Sequence, residues 1–145
     1  MSFDPADAVV IPPHSSGPFP LHQLLGLEVV SAEGGRSQVR LVVAERHLRD
    51  GGIAHGGVLS TLLDAAIGFA ARSLVTAGPD LVTVQLSVNF LRTTVPGDVL
   101  TVSAEVQHPG RRSVVARGEI RTEGGRLIAI GTGTLLYLNQ TQESR

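Results

Sequence analysis

The chain has 145 residues, a length that suits one domain around one core. It is 42% hydrophobic and 17% charged, so a core can be buried, and the low charge hints at surface covered by a second subunit. A net charge of −1 gives no basic footprint for nucleic acid or an anionic membrane, and the absence of cysteine rules out disulfides and thiolate metal sites. The start, Met1-Ser2-Phe3-Asp4-Pro5, lacks the basic end and apolar run of a signal peptide, and the longest central apolar stretch is broken by Asp64. The expectation is a cytoplasmic protein that does not enter the membrane.

Residues 1–20 hold five of the eight prolines and read as an extended lead-in. Pro20 to Leu25 can form one helical turn ending at Gly26. Leu27 to Glu33 reads as a strand, Gly34-Gly35 as a hairpin turn, and Arg36 to Ala44 as the returning strand. In that strand Val39, Leu41 and Val43 share one face. A polar loop, Glu45 to Gly52, leads into the one long helical pattern. That pattern runs from about Gly57 to Val75, stops before Gly78-Pro79, and carries an apolar stripe of Val58, Leu59, Leu62, Leu63, Ala66, Ile67, Ala70 and Leu74.

Four more strands follow: Leu81 to Leu91, Asp98 to Gln107, Ser113 to Thr122 and Leu127 to Leu138. Turns at Pro96-Gly97, Pro109-Gly110 and Gly124-Gly125 separate them, and the last two are short enough to make antiparallel hairpins. One helix among six strands predicts an α+β architecture, an antiparallel β-sheet wrapped around one long central helix, with an edge or face left for a second copy. The domain is expected to span 21–139, with 140–145 as a tail.

The chemistry concentrates in His55-Gly56-Gly57 and the helix that follows. Glycine is a poor helix former, yet two open this helix, where bare N–H groups carry the positive end of the helix dipole. Such groups suit an oxyanion or a polarised carbonyl. Asp64 sits mid-helix, opposite the apolar stripe, on a face of small residues with Thr61, Gly68 and Ala71. The bland alternatives are a packing glycine pair and a solvated aspartate. At about 1.5 Å per residue, His55 and Asp64 are roughly 13 Å apart on one helix, too far to serve one reacting atom. Two antiparallel helices related by a two-fold axis bring the start of one to the Asp64 of the other, which gives a site shared across a dimer interface.

The pattern His-Gly-Gly, Asp nine residues after the His, and Gly four residues later resembles the hotdog-fold acyl-CoA thioesterases of the phenylacetate-degradation (PaaI) type. The resemblance covers roughly Leu21 to Leu138. It implies a hotdog fold, a homodimer or homotetramer, and hydrolysis of acyl-CoA to free acid and CoA. By this likeness Asp64 activates water or attacks the carbonyl, the Gly56 amide polarises the thioester oxygen, and His55 and Gly57 shape that pocket. Thr83, in Leu81-Val82-Thr83-Val84-Gln85, matches the Ser or Thr that assists the water in the family; an ordinary strand threonine is the plain alternative.

One departure is that Arg49, followed by Asp50, stands where relatives often carry an Asn beside the thioester. Asp50 and His55 also resemble the Asp–His spacing of hotdog enoyl-CoA hydratases, but Gly52-Ile53 and Gly57 occupy places where that pattern wants Asn-Pro and a further Asp. Arg92, Arg111 and Arg112, at strand ends or turns, are the candidates for CoA phosphates, against a reading as solvated turn arginines. His14, His22, His47, His55 and His108 show no zinc-like spacing, so neither metal nor cofactor is implied. A non-catalytic acyl-CoA-binding domain is the rival reading, weakened by Asp64 and by the lack of a basic patch for DNA. Five aromatics in all give no clear aryl-stacking pocket, so aryl and medium-chain acyl groups both stay open.

Overall fold

A computed structural model describes residues 19–75 and 80–138. Helix α1 covers Pro20–Leu25, β1 Glu28–Glu33, β2 Arg36–Val42, and a 3₁₀ turn Glu45–His47. Helix α2 covers Gly56–Arg72, followed by β3 Leu81–Phe90, β4 Val99–Pro109, β5 Ser113–Thr122 and β6 Leu127–Tyr137. Most of the proline-rich lead-in, the Gly78-Pro79 pair expected to follow the helix and the tail 140–145 lie outside the described residues.

The six strands make one antiparallel sheet in the order β1-β2-β4-β5-β6-β3, which leaves β1 and β3 as edges. Gly34 and Gly35 both take positive φ, at 60° and 80°, as a tight hairpin between twisted strands requires. Val39, Leu41 and Val43 are buried as the alternation predicts. Helix α2 lies in the concave face, and its buried Leu59, Leu62, Leu63 and Ile67 each contribute about 1.5–3 kcal/mol of burial.

Three glycines let the sheet wrap this closely. A Cβ at Gly118 would meet Leu63 Cδ2 at 3.1 Å, one at Gly131 would meet Leu63 Cδ1 at 3.2 Å, and one at Gly133 would meet Ile67 Cγ2 at 3.2 Å. Glycine on the inner face of β5 and β6 thus replaces side-chain layers with direct backbone-to-helix packing.

The helix differs from the expected span. It begins at Gly56, one residue early, because His55 caps it, and ends at Arg72, three residues early. There the Ser73 hydroxyl donates to Ala70 O at 2.7 Å and accepts Gly35 N–H at 2.8 Å, while Leu74 N–H bonds Ala71 O in a tightened last turn. The apolar stripe needs correction at its ends: Leu74 is exposed and Val58 only half-buried. Ala71 needs it too, being fully buried rather than part of the open small-residue face. Ala65 and Phe69 belong to the core as well, so the helix is enclosed on more than one side.

Candidate functional site

The start of α2 is pinned from below by a histidine that sequence patterning passes over. His47 is buried at 1% exposure; its Nδ1 accepts Ala44 N–H at 2.9 Å, so the proton sits on Nε2, which donates to Leu25 O at 2.7 Å. Its carbonyl accepts His55 N–H at 2.8 Å, and Ala54 N–H donates to Thr94 O at 2.9 Å. The loop before the helix is therefore tied to the end of α1 and to the segment after β3. A lone histidine in a polar loop carries no sequence signal for such a role.

His55 is the N-cap, and its Nδ1 accepts Gly57 N–H at 2.8 Å. That bond consumes the Gly57 donor. Gly56 N–H, by contrast, meets no acceptor among the described residues. Both glycines are sterically justified: a Cβ at Gly57 would sit 2.9 Å from His55 Nδ1, and one at Gly56 would sit 3.3 Å from Phe90 Cζ.

Two turns further along, Asp64 is half-buried on the solvent-side edge of the helix. Thr83 Oγ1 of β3 donates to Asp64 Oδ1 at 2.8 Å. One turn on, no described residue lies within 4 Å of where a Gly68 Cβ would stand, so among the described residues open space adjoins the carboxylate. From the other side His22 of α1 comes near enough for the Asp64 carboxylate to raise its pKa, although burial outweighs this and lowers it. Among the described residues no cluster of His, Asp and Glu suits a metal ion, and no helix is long and apolar enough to cross a membrane.

The remaining candidates scatter. Arg49 pairs with Asp50 at 3.2 Å, and Asp50 is almost wholly exposed. Since Asp50 holds Arg49 and His55 holds Gly57, neither is bonded to the other as the hydratase spacing would ask. Arg92 donates to Leu127 O at 2.9 Å at the Phe90 end of β3, while Arg111 and Arg112 are exposed in the β4–β5 turn. Arg112 O accepts Tyr137 N–H, and Tyr137 pairs with Leu81, so these two arginines sit at the opposite end of β3, about 30 Å away at strand rise.

One antiparallel sheet around one long helix, with a carboxylate on the helix and a free donor at its start, defines a hotdog-fold hydrolase arrangement. The chain belongs to the thioesterase superfamily, whose family model matches residues 51–129. Within it the PaaI type holds: the chain is 31% identical to the acyl-coenzyme A thioesterase PaaI of Escherichia coli, over 75% of this chain and 76% of that one. The solved structure of the conserved protein PA5202 from Pseudomonas aeruginosa superposes with a TM-score of 0.76 at 36% identity, covering 81% of this chain and 93% of that one. A hypothetical thioesterase from Streptococcus pneumoniae, solved with coenzyme A, superposes with a TM-score of 0.73 at 35% identity, covering 79% and 87%.

Proposed function

We propose that the protein hydrolyses acyl-CoA thioesters at a site shared between two subunits, with Asp64 as general base and Gly56 N–H as oxyanion donor. The observation that carries this reading is the Thr83–Asp64 bond at 2.8 Å, on the same helix as a Gly56 N–H that meets no acceptor among the described residues. Thr83 occupies Oδ1 and leaves Oδ2 to accept a proton from water. Water attacks the thioester carbonyl carbon, Asp64 takes the proton, and Gly56 N–H of the partner subunit holds the oxyanion. Collapse breaks the C–S bond, the CoA thiolate leaves, and the proton passes from Asp64 to the sulfur.

A dimer is supported by β3. This edge strand carries no charged residue and exposes Val82, Val84 and Phe90, without the charges or proline that usually protect an edge. Antiparallel pairing of two β3 strands would set the Asp64–Thr83 pair of one subunit toward the helix start of the other, and would bring Arg92 of one toward Arg111 and Arg112 of its partner. Those arginines are then the candidates for CoA phosphates.

Asp64→Asn tests the reading, because it keeps shape and removes charge. A folded protein whose turnover on the best acyl-CoA falls by about two to four orders of magnitude, with binding retained, is expected. A fall of less than about threefold would remove Asp64 as the base. In a single turnover in ¹⁸O-water, label entering Asp64 would identify it as a nucleophile, through an anhydride opened by water at the aspartyl carbonyl.

A further inference from the structure

The buried face of α2 is apolar, and apolar packing has no preferred direction, so it holds the helix to the sheet better than it stops the helix sliding along it. Gly118, Gly131 and Gly133 give Leu63 and Ile67 a floor of backbone, with no side chains at those positions to set a stop. Directional contacts have to supply the register. One comes from Ser37 of β2, a polar residue only 3% exposed that the hydrolysis proposed above does not use. Its hydroxyl donates to Ala66 O, in the middle of α2, at 2.5 Å.

A second tether lies one turn on. Ser73 Oγ accepts Gly35 N–H and donates to Ala70 O, so the β1–β2 hairpin meets the helix at Ala66 and again at Ala70. Gly35 and Ser37 are two residues apart, about 6.8 Å along a strand; Ala66 and Ala70 are four apart, about 6 Å along a helix. Because the two repeats match, both tethers are made at one position of α2 along the hairpin, and both are lost if it slides. On the opposite flank Thr83 of β3 holds Asp64, with β4, β5 and β6 lying between β2 and β3 in the sheet. Ala66, fully buried, follows Asp64 by two residues, about 200° round the helix. Ser37 therefore holds the back of the segment whose front carries the carboxylate.

We propose that Ser37 is a positioning residue for the hydrolysis: its bond to the Ala66 carbonyl, backed by the Gly35–Ser73–Ala70 bridge, fixes how far α2 stands along the sheet and how it is turned, and so holds Asp64 where Thr83 meets its carboxylate. This rests on the thioesterase reading above. Ser37 touches no reacting atom and acts through Asp64.

The test is a double-mutant cycle on the full chain, with turnover followed as loss of thioester absorbance on whichever of phenylacetyl-CoA and hexanoyl-CoA the wild type hydrolyses faster. Ser37→Ala leaves no acceptor orphaned, because Ala66 O keeps its helical bond from Ala70 N–H, so a folded protein of wild-type oligomeric mass is expected. Its kcat should fall about tenfold with KM within about twofold of wild type. On the Thr83→Val background the same change should cost less than about twofold, because the bond that Ser37 secures is already gone. A loss of packing alone would instead multiply with the Thr83 loss. Ser37→Cys keeps the shape with a weaker donor, and its kcat should fall between those of wild type and Ser37→Ala; if Ser37→Ala does not fold, Ser37→Cys takes its place in the cycle. Wild-type kcat in the Ser37 variant, a rise in KM in place of the fall in kcat, or a loss that persists in full on the Thr83→Val background overturns the assignment and leaves the thioesterase reading standing. If the wild type hydrolyses neither thioester, that reading falls and this inference falls with it.

Discussion

The Thr83 hydroxyl reaches Asp64 because β3 changes face between Thr83 and Gln85. A bulge there leaves Val84 unpaired, so Leu81 and Thr83 point toward α2 together with Leu86, Val88 and Phe90, although strict alternation would separate the two groups. Thr83→Val removes the donor while keeping the shape, and it should cost roughly tenfold in turnover with little change in KM. Thr83→Ser should restore most of the loss, since it returns the hydroxyl. Steady-state kinetics on the three proteins checks this; equal rates for wild type and Thr83→Val would leave the bond a packing feature.

The two glycines at the start of α2 should fail differently. Gly56→Pro deletes the N–H that has no acceptor among the described residues, and the expected loss is about a hundredfold in turnover with the fold intact. Gly57→Ala instead sets a methyl against His55 Nδ1 and displaces the cap. Its main effect should therefore be on stability, on the order of 1 kcal/mol for a lost N-cap, with a smaller fall in rate. Denaturant melts and kinetics on both variants separate the two roles. The assignment is sunk by a folded Gly56→Pro protein with normal turnover.

Much of this was legible in the residues and some was not. The hairpin at Gly34-Gly35, the six strands in an antiparallel sheet, and the helix with Asp64 at its middle follow from turn chemistry and periodicity, and the structure has them; the strand order does not follow from them. The orientation of Thr83 does not follow, because Leu81-Val82-Thr83-Val84-Gln85-Leu86 alternates in the sense that turns Thr83 away from the core until a bulge reverses it. Ala71 was misplaced for a related reason. Helical spacing gives angles around an axis but not which neighbours close over them, and Ala71 is fully buried. A ring cluster of Phe19, His22 and Phe69 joins residues 50 apart in sequence, through a helix of only 6 residues that has no buried side chain of its own. No local pattern could announce it.

His22 gives the protein a pH response with a defined sign. Its pKa is lowered from the ordinary 6.5 by burial, against the opposing pull of Asp64. The unfolded chain therefore binds this proton more readily than the folded one, so the stability tied to the neutral ring is complete above about pH 6.5 and is lost as pH falls from there through the lower folded value. The cation formed on acidification is also attracted by the Asp64 carboxylate. Melting temperature followed from about pH 8 to pH 5 should fall further in wild type than in His22→Phe, and the acid limb of kcat/KM should move to lower pH in the variant. Superimposable profiles for the two proteins would show that His22 is not the titrating group.

The shared site has a signature that no single variant can show. Asp64→Asn keeps a good Gly56, and Gly56→Pro keeps a good Asp64. Each homodimer should be nearly inactive. In a mixed dimer, however, Gly56 of the first chain faces Asp64 of the second, so one of the two sites is wholly wild type and the other carries both defects. With equal amounts and random exchange, half the dimers are mixed and each has one working site, so the mixture should recover about a quarter of wild-type activity. The measurement is turnover after the two variants are unfolded together and refolded, beside each variant refolded alone. If oxyanion donor and base belonged to the same chain, every site in the mixture would carry one defect. The mixture would then be no more active than its parts, and the β3-edge dimer would have lost its catalytic meaning.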